Sequence, residues 1–61
     1  MKRQMVVRID GRDYSAVSDA VDIRYAKVEC YAQLQELIYN QIGIMPTVRI
    51  LLKQMQYFKP I

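Results

Sequence analysis

The 61-residue sequence contains no histidine, no tryptophan and a single cysteine, Cys30. Without histidine there is no imidazole to act as a general base near neutral pH, and one thiol cannot close an internal disulfide. A structural zinc site is not expected either, because its usual histidine and cysteine ligands are missing. These absences predict no catalytic, metal-binding or cofactor-binding site and indicate a protein that is not an enzyme.

The remaining chemistry-bearing residues are sparse. The six acidic residues form no pair with general acid–base or metal-binding spacing, and the two glycines are too far apart for a phosphate-binding loop. No apolar run approaches the roughly 20 residues needed to cross a bilayer, and no secretory signal follows the first residues. With its lone cysteine, which is typical of a reducing compartment, the chain is expected to be cytoplasmic and not bound to a membrane.

Length and composition favour self-association. A chain this short forms one domain and buries only about 60% of the surface that its unfolded form exposes, so its stability as a monomer is expected to be small. Apolar residues make up 52% of the sequence, with five tyrosines and four methionines, which is more apolar area than two helices and a hairpin can cover. We therefore expect a homodimer.

The charge is unevenly distributed. The net charge is +3. The chain after Glu36 contains no acidic residue but contains Arg49, Lys53 and Lys59. The C-terminal third is therefore the most basic part of the chain.

Residues 4–15 carry the signals of a β-hairpin, after a start at residues 1–3 that is expected to be flexible. An apolar set, Met5, Val7 and Ile9, alternates with Gln4, Val6 and Arg8 before Asp10-Gly11, a dipeptide typical of a two-residue turn. Such a turn places the following pairs opposite each other: Ile9 and Arg12, Arg8 and Asp13, and Val7 and Tyr14.

Residues 18–42 are predicted to form a long helix. Ser18 is a suitable N-cap, and Gly43 can adopt the left-handed conformation that ends a helix. A kink or break is expected between Tyr25 and Cys30, because the helix would be long for so small a protein. The predicted apolar stripe consists of Val21, Tyr25, Val28, Tyr31 or Ala32, Leu34 or Gln35, Ile38 and Ile42.

A second, amphipathic helix is predicted over residues 47–58. Thr47 is a capping residue, and Pro60 prevents continuation. Its apolar stripe consists of Val48, Leu51, Leu52, Met55 and Phe58.

The expected fold is therefore α+β and mainly helical. An N-terminal β-hairpin precedes a long helix and a shorter C-terminal helix, which together form a helical hairpin in a single domain of residues 1–61, possibly dimeric. The alternative is an all-α fold with a disordered N-terminus.

Two short segments resemble parts of DNA-binding families. Residues 43–49, Gly-Ile-Met-Pro-Thr-Val-Arg, resemble the Gly-x-x-Pro-Thr-x-Arg start of the second helix in winged-helix repressors of the LexA type and in KfrA-like plasmid proteins. The resemblance implies a small DNA-binding regulator that uses a helix-turn-helix-like segment, 31–58. In those families a further recognition helix follows, and none is predicted here. The ordinary interpretation is a helix–helix connection closed by Pro46 and Thr47.

The N-terminal strand followed by helices also resembles ribbon-helix-helix repressors, in which strands pair across a dimer. Gln4, Val6 and Arg8 would then project towards DNA. The predicted first helix is longer than that family's, and Asp10-Gly11 favours a hairpin within one chain.

In size, composition and lack of enzymatic motifs, the chain resembles the short accessory proteins of the early region of lambdoid temperate bacteriophages. The resemblance implies a small regulatory module, of phage or plasmid origin, that binds a host or phage protein. The tyrosines interleaved with basic residues suit either stacking on single-stranded nucleic acid or a protein contact, and the latter is favoured. The candidate contacts, to a protein partner or to DNA, are Tyr39, Thr47, Arg49, Lys53, Gln54, Gln56 and Tyr57.

Overall fold

The computed structural model describes residues 1–61 as three strands and two helices. In chain order these are β1 (Arg3–Ile9), β2 (Arg12–Ser18), α1 (Ile23–Ile42), α2 (Val48–Lys53) and β3 (Met55–Pro60). The strands form one antiparallel sheet in the order β2-β1-β3, and α1 packs on one of its faces. The α+β class is confirmed, but the chain is not mainly helical, because α1 and α2 contain 20 and 6 of its 61 residues. The helical hairpin and the all-α alternative are wrong, because the chain returns to the sheet after a helix of six residues.

The predicted hairpin is confirmed. Asp10 and Gly11 both have positive φ, at 51° and 76°, which is the turn that matches the twist of two antiparallel strands. All three predicted cross-strand pairs are present in the register of β1 with β2. The strands are longer than predicted, because pairing continues to Arg3 and Ser18.

The long helix begins five residues later than predicted. Ser18 is the last residue of β2, and its hydroxyl accepts from the Ala20 N–H at 3.1 Å and donates to the Glu29 carboxylate. The N-cap is Asp22, whose carboxylate accepts from the Arg24 N–H at 2.8 Å, a bond that lowers the pKa of Asp22.

The C-terminal end of α1 is as predicted, and the helix has no break between Tyr25 and Cys30. Gly43 has φ 75° and donates its N–H to the Tyr39 carbonyl at 2.9 Å. Between these ends the helix runs without interruption from Ile23 to Ile42.

The predicted helix over residues 47–58 is correct at its start and wrong after Lys53. The Thr47 hydroxyl accepts from the Ile50 N–H at 3.2 Å, as an N-cap does. The segment Met55–Pro60 then pairs with the free side of β1, where its backbone satisfies donors and acceptors that would otherwise lack partners.

β3 contains a bulge. Phe58 lies opposite Met5 and Tyr57 opposite Val6, but the residue opposite Val7 is Met55, so Gln56 is an extra residue. The bulge places both Met55 and Phe58 against the core although they are three residues apart.

The core lies between α1 and the sheet. Its α1 side chains recur every four residues: Ala26, Cys30, Leu34 and Ile38. The sheet contributes Met5, Val7, Tyr14 and Ala16, and α2 contributes Leu51. The predicted stripe was wrong in its first half, because Val21, Tyr25 and Val28 are exposed.

Polar features occupy both sheet edges. On the β2 edge, the Gln33 side-chain amide donates to the Val17 carbonyl at 2.8 Å and accepts from the Val17 N–H at 3.3 Å. At the end of β3, the Ile61 N–H points inward and donates to the Lys2 carbonyl at 3.0 Å, which extends the pairing of β3 with β1. Successive backbone nitrogens of a strand point alternately towards and away from the paired strand, so the Pro60 nitrogen points away from β1. As a proline it has no N–H to donate at this free edge.

Replacing Gly11 with alanine should destabilise the fold by about 1 kcal/mol, because an L side chain disfavours positive φ. No atom lies within 4 Å of an added Cβ, so the cost is conformational rather than a clash. Urea unfolding followed by circular dichroism measures it. The control Gly11→Asn should cost less, since asparagine tolerates this conformation, and equal losses in the two variants would contradict the explanation.

Replacing Tyr14 with phenylalanine should leave stability unchanged or raise it by up to about 1 kcal/mol. The Tyr14 hydroxyl is buried without a hydrogen-bond partner, so its removal relieves a desolvation cost and leaves no partner unsatisfied. The midpoint of urea unfolding measures the effect. A loss of more than about 1 kcal/mol would show that this hydroxyl does make a stabilising bond.

Candidate contact surfaces

The chain surface has no pocket, and no group of three or more His, Cys, Asp or Glu residues is placed to hold a metal ion. Neither helix combines the length and the apolar character required to span a membrane. The features available for binding are exposed apolar and basic side chains.

The first group of such side chains surrounds α2. We call it the α2 surface, and it consists of Ile44, Met45, Val48, Arg49, Ile50, Leu52 and Lys53. Met45 is 60% exposed and Leu52 is 57% exposed. Large apolar side chains this exposed and this close together are typical of interaction sites.

The geometry of α2 decides how this surface is arranged. Leu51 is fully buried in the core, and at 100° per residue Arg49 and Lys53 lie on the opposite, outward side of the helix. Val48 and Leu52 are four residues apart and share one flank. The α2 surface is therefore a basic ridge with aliphatic side chains beside it.

The basic ridge has no carboxylate partner within the chain. The two ion pairs of the structure join Arg8 to Asp13 and Arg24 to Asp22. Arg49 and Lys53 take part in neither and remain available to an external anion.

Two other predicted contact residues hold the ends of α2. Thr47 caps the first turn, and the Gln54 backbone N–H closes the last turn on the Ile50 carbonyl at 2.9 Å. The Gln54 carbonyl accepts from the Arg8 N–H and from the Gln56 side chain. These residues position the ridge rather than extend it.

The predicted tyrosines do not share a surface. Tyr57 lies opposite Val6 on the sheet face that α1 does not cover, with the Lys59 ammonium 4.5 Å from its ring centroid. Tyr39 is exposed on α1, on the other side of the molecule. A single flat partner could therefore not contact both.

On the uncovered face of the sheet, polar side chains of β1 and β2 bond to one another. The Gln4 amide donates to the Ser15 hydroxyl at 2.8 Å, and Arg8 pairs with Asp13 at 2.8 Å. The ribbon-helix-helix arrangement is wrong, because β1 is the central strand and is paired on both sides within one chain.

The outward side of α1 is a third exposed region. We call it the outer face of α1, and it consists of Tyr25, Val28, Ala32 and Tyr39, all exposed. Tyr25 and Val28 belong to the apolar stripe predicted from the sequence, and Tyr39 is one of the candidate contacts. The signal was present in the sequence, because α1 contains more apolar residues than one stripe can hold.

Cys30 is fully buried between α1 and the sheet. Burial raises the pKa of its thiol, with a smaller contribution from the Glu29 carboxylate. Desolvation and inaccessibility both oppose thiolate chemistry, so Cys30 is a core residue in this fold.

Comparison with protein-family models, with curated proteins and with solved structures gives no match to this chain.

The burial of Cys30 predicts that a thiol reagent reaches it only when the protein unfolds. At pH 8 the native chain should react at least about a hundredfold more slowly than the urea-unfolded chain, because only the small unfolded fraction is accessible. Absorbance with a disulfide reagent measures both rates. Similar rates in the two states would contradict the packing of α1 on the sheet.

Proposed function

We propose that this chain is a small non-enzymatic binding module whose α2 surface docks on an acidic, partly apolar segment of a regulatory protein. The observation that carries the proposal is the combination on α2 of an unpaired basic ridge and exposed aliphatic side chains. The candidates retained from the sequence are Arg49 and Lys53 as direct contacts, with Thr47 and Gln54 as the residues that hold them in place.

The physical argument rests on complementarity. Carboxylates on the partner would pair with Arg49 and Lys53, which have no acidic neighbour to compete. Aliphatic side chains on the partner would cover Val48 and Leu52, which are exposed to water in the free chain. Arginine and apolar residues together are typical of protein interfaces.

As a regulatory module of phage or plasmid origin, the chain would act by occupying part of a host or phage protein. A binding module needs no chemistry of its own for this role, because occupying a surface is sufficient to block or to recruit.

A small DNA-binding regulator is the second candidate, and the acid-free basic segment after Glu36 favours it. The helix available to enter a groove has six residues, of which Leu51 is buried. Duplex DNA would therefore be held through phosphate contacts from Arg49 and Lys53 rather than by base reading.

The double substitution R49E/K53E should abolish partner binding without unfolding the chain, because both side chains point to solvent. The intact chain is immobilised, and proteins retained from a bacterial lysate at low and moderate salt are compared. The control K2E/R12E makes the same charge change away from α2 and should retain the wild-type set. Equal retention by wild type and R49E/K53E would contradict the proposal.

A separate titration distinguishes the two candidates. Fluorescence anisotropy with a nonspecific DNA duplex should show no binding at low salt if the partner is a protein. Binding that weakens steeply with salt and is lost in R49E/K53E would favour the DNA-binding candidate instead.

A further inference from the structure

We propose that the outer face of α1 is the interface of a two-fold homodimer in which the α1 helices of two copies lie parallel. This face is separate from the α2 surface, and nothing in the chain covers it. Tyr25 is 59% exposed and Val28 is 58% exposed, so their apolar area is in contact with water in the single copy.

The spacing of the outer face is that of a helix–helix seam. Tyr25, Val28, Ala32 and Tyr39 follow one another at intervals of three, four and seven residues. This is the spacing of two helices that pack along their length, interrupted once at residue 35, where Gln35 donates its side-chain amide to the Pro46 carbonyl at 2.9 Å. Ala32 stands at the middle of the seam, where a small side chain lets two helices approach closely.

The two flanks of the seam carry opposite charges. Glu29 and Glu36 lie on the flank beside β2, where Glu29 accepts a hydrogen bond from the Ser18 hydroxyl. Arg24 lies on the other flank. Lys27 is turned further round the helix towards the sheet, where its ammonium is 5.9 Å from the centroid of the Phe58 ring in β3, so Arg24 is the basic group that faces the seam. The outer face is therefore self-complementary in charge.

Symmetry selects the direction of the pair. In a parallel two-fold pair, the acidic flank of one helix meets the basic flank of the other. In an antiparallel two-fold pair, each flank meets its own copy, and acidic groups face acidic groups. Like charges across an interface are unfavourable, so the parallel arrangement is the one that this charge pattern fits.

The register of the charges agrees with that direction. Arg24 precedes Glu29 by five residues, which is the separation of the ion pairs that flank the seam of a parallel coiled coil. Arg24 is available, because its side chain is 89% exposed and its only ion pair, to Asp22, is 3.5 Å long. Glu29 is oriented by Ser18 through one carboxylate oxygen, which leaves the other for the second copy.

The area available sets the strength of the dimer. A standard interface of roughly 800 Å² per partner would take about a fifth of this chain's 4246 Å² of accessible surface. One helix face roughly 30 Å long offers less than that, so the dimer should dissociate in the micromolar range. A parallel pair would also place the two α2 surfaces at the same end of the dimer.

Sedimentation equilibrium of the full chain tests the interface. The wild type should be a dimer at about 100 µM, and R24E should raise the dissociation constant at least about tenfold by placing two acidic groups together. The control R12E makes the same charge change in the hairpin and should have no effect. The charge exchange R24E/E29R should restore dimerisation, and circular dichroism confirms the fold of each variant.

Disulfide trapping tests the direction. Under mild oxidation V28C should form a symmetric disulfide, because residue 28 meets its own copy in a parallel pair. Wild type is the control, since its buried Cys30 should not cross-link. In an antiparallel pair residue 28 would instead lie near residue 36, and V28C mixed with E36C would form the mixed disulfide.

Three outcomes would overturn the proposal. The first is a chain that stays monomeric up to about 1 mM, which would leave the outer face to a different molecule. The second is an equal effect of R24E and R12E on the dissociation constant. The third is preferential formation of the mixed disulfide between V28C and E36C.

Discussion

The packing of α1 on one face of the sheet is the interaction on which the rest of the structure depends. Leu34 and Ile38 contact a sheet face that includes Met5 and Val7, and all four side chains are fully buried. Because a single helix supplies this layer, the core is one-sided. The outward side of the helix, much of the far side of the sheet and most of α2 therefore remain in water, and this accounts for the exposed apolar side chains on α1 and α2.

Local signals predicted the hairpin well and the C-terminal strand badly, for a physical reason. Asp10 and Gly11 determine a turn by their own backbone preferences, so no distant contact is needed to place it. The last segment was predicted to be helical because Met55 and Phe58 are three residues apart. The bulge at Gln56 creates that spacing within a strand. Whether a bulge forms depends on the tertiary pairing with β1, which local sequence does not show.

The candidate site was predicted in part. Arg49 and Lys53 were identified because charge after Glu36 is readable without a structure, and the structure places both on the outward side of α2. Ile44 and Met45 were treated as a connection, and their exposure depends on where the chain turns. Exposure of an apolar side chain is a property of packing, so sequence alone could not assign it.

The polar groups at the sheet edges affect the tendency of this protein to aggregate at high concentration. A bare strand edge is a template on which other chains can stack into fibrils. On the β2 edge, the Gln33 side chain bonds the backbone N–H and carbonyl of Val17. On the β3 edge, Pro60 has no N–H to donate. An added strand would lose backbone hydrogen bonds at Val17 on one edge and at Pro60 on the other, which disfavours open-ended, amyloid-type growth.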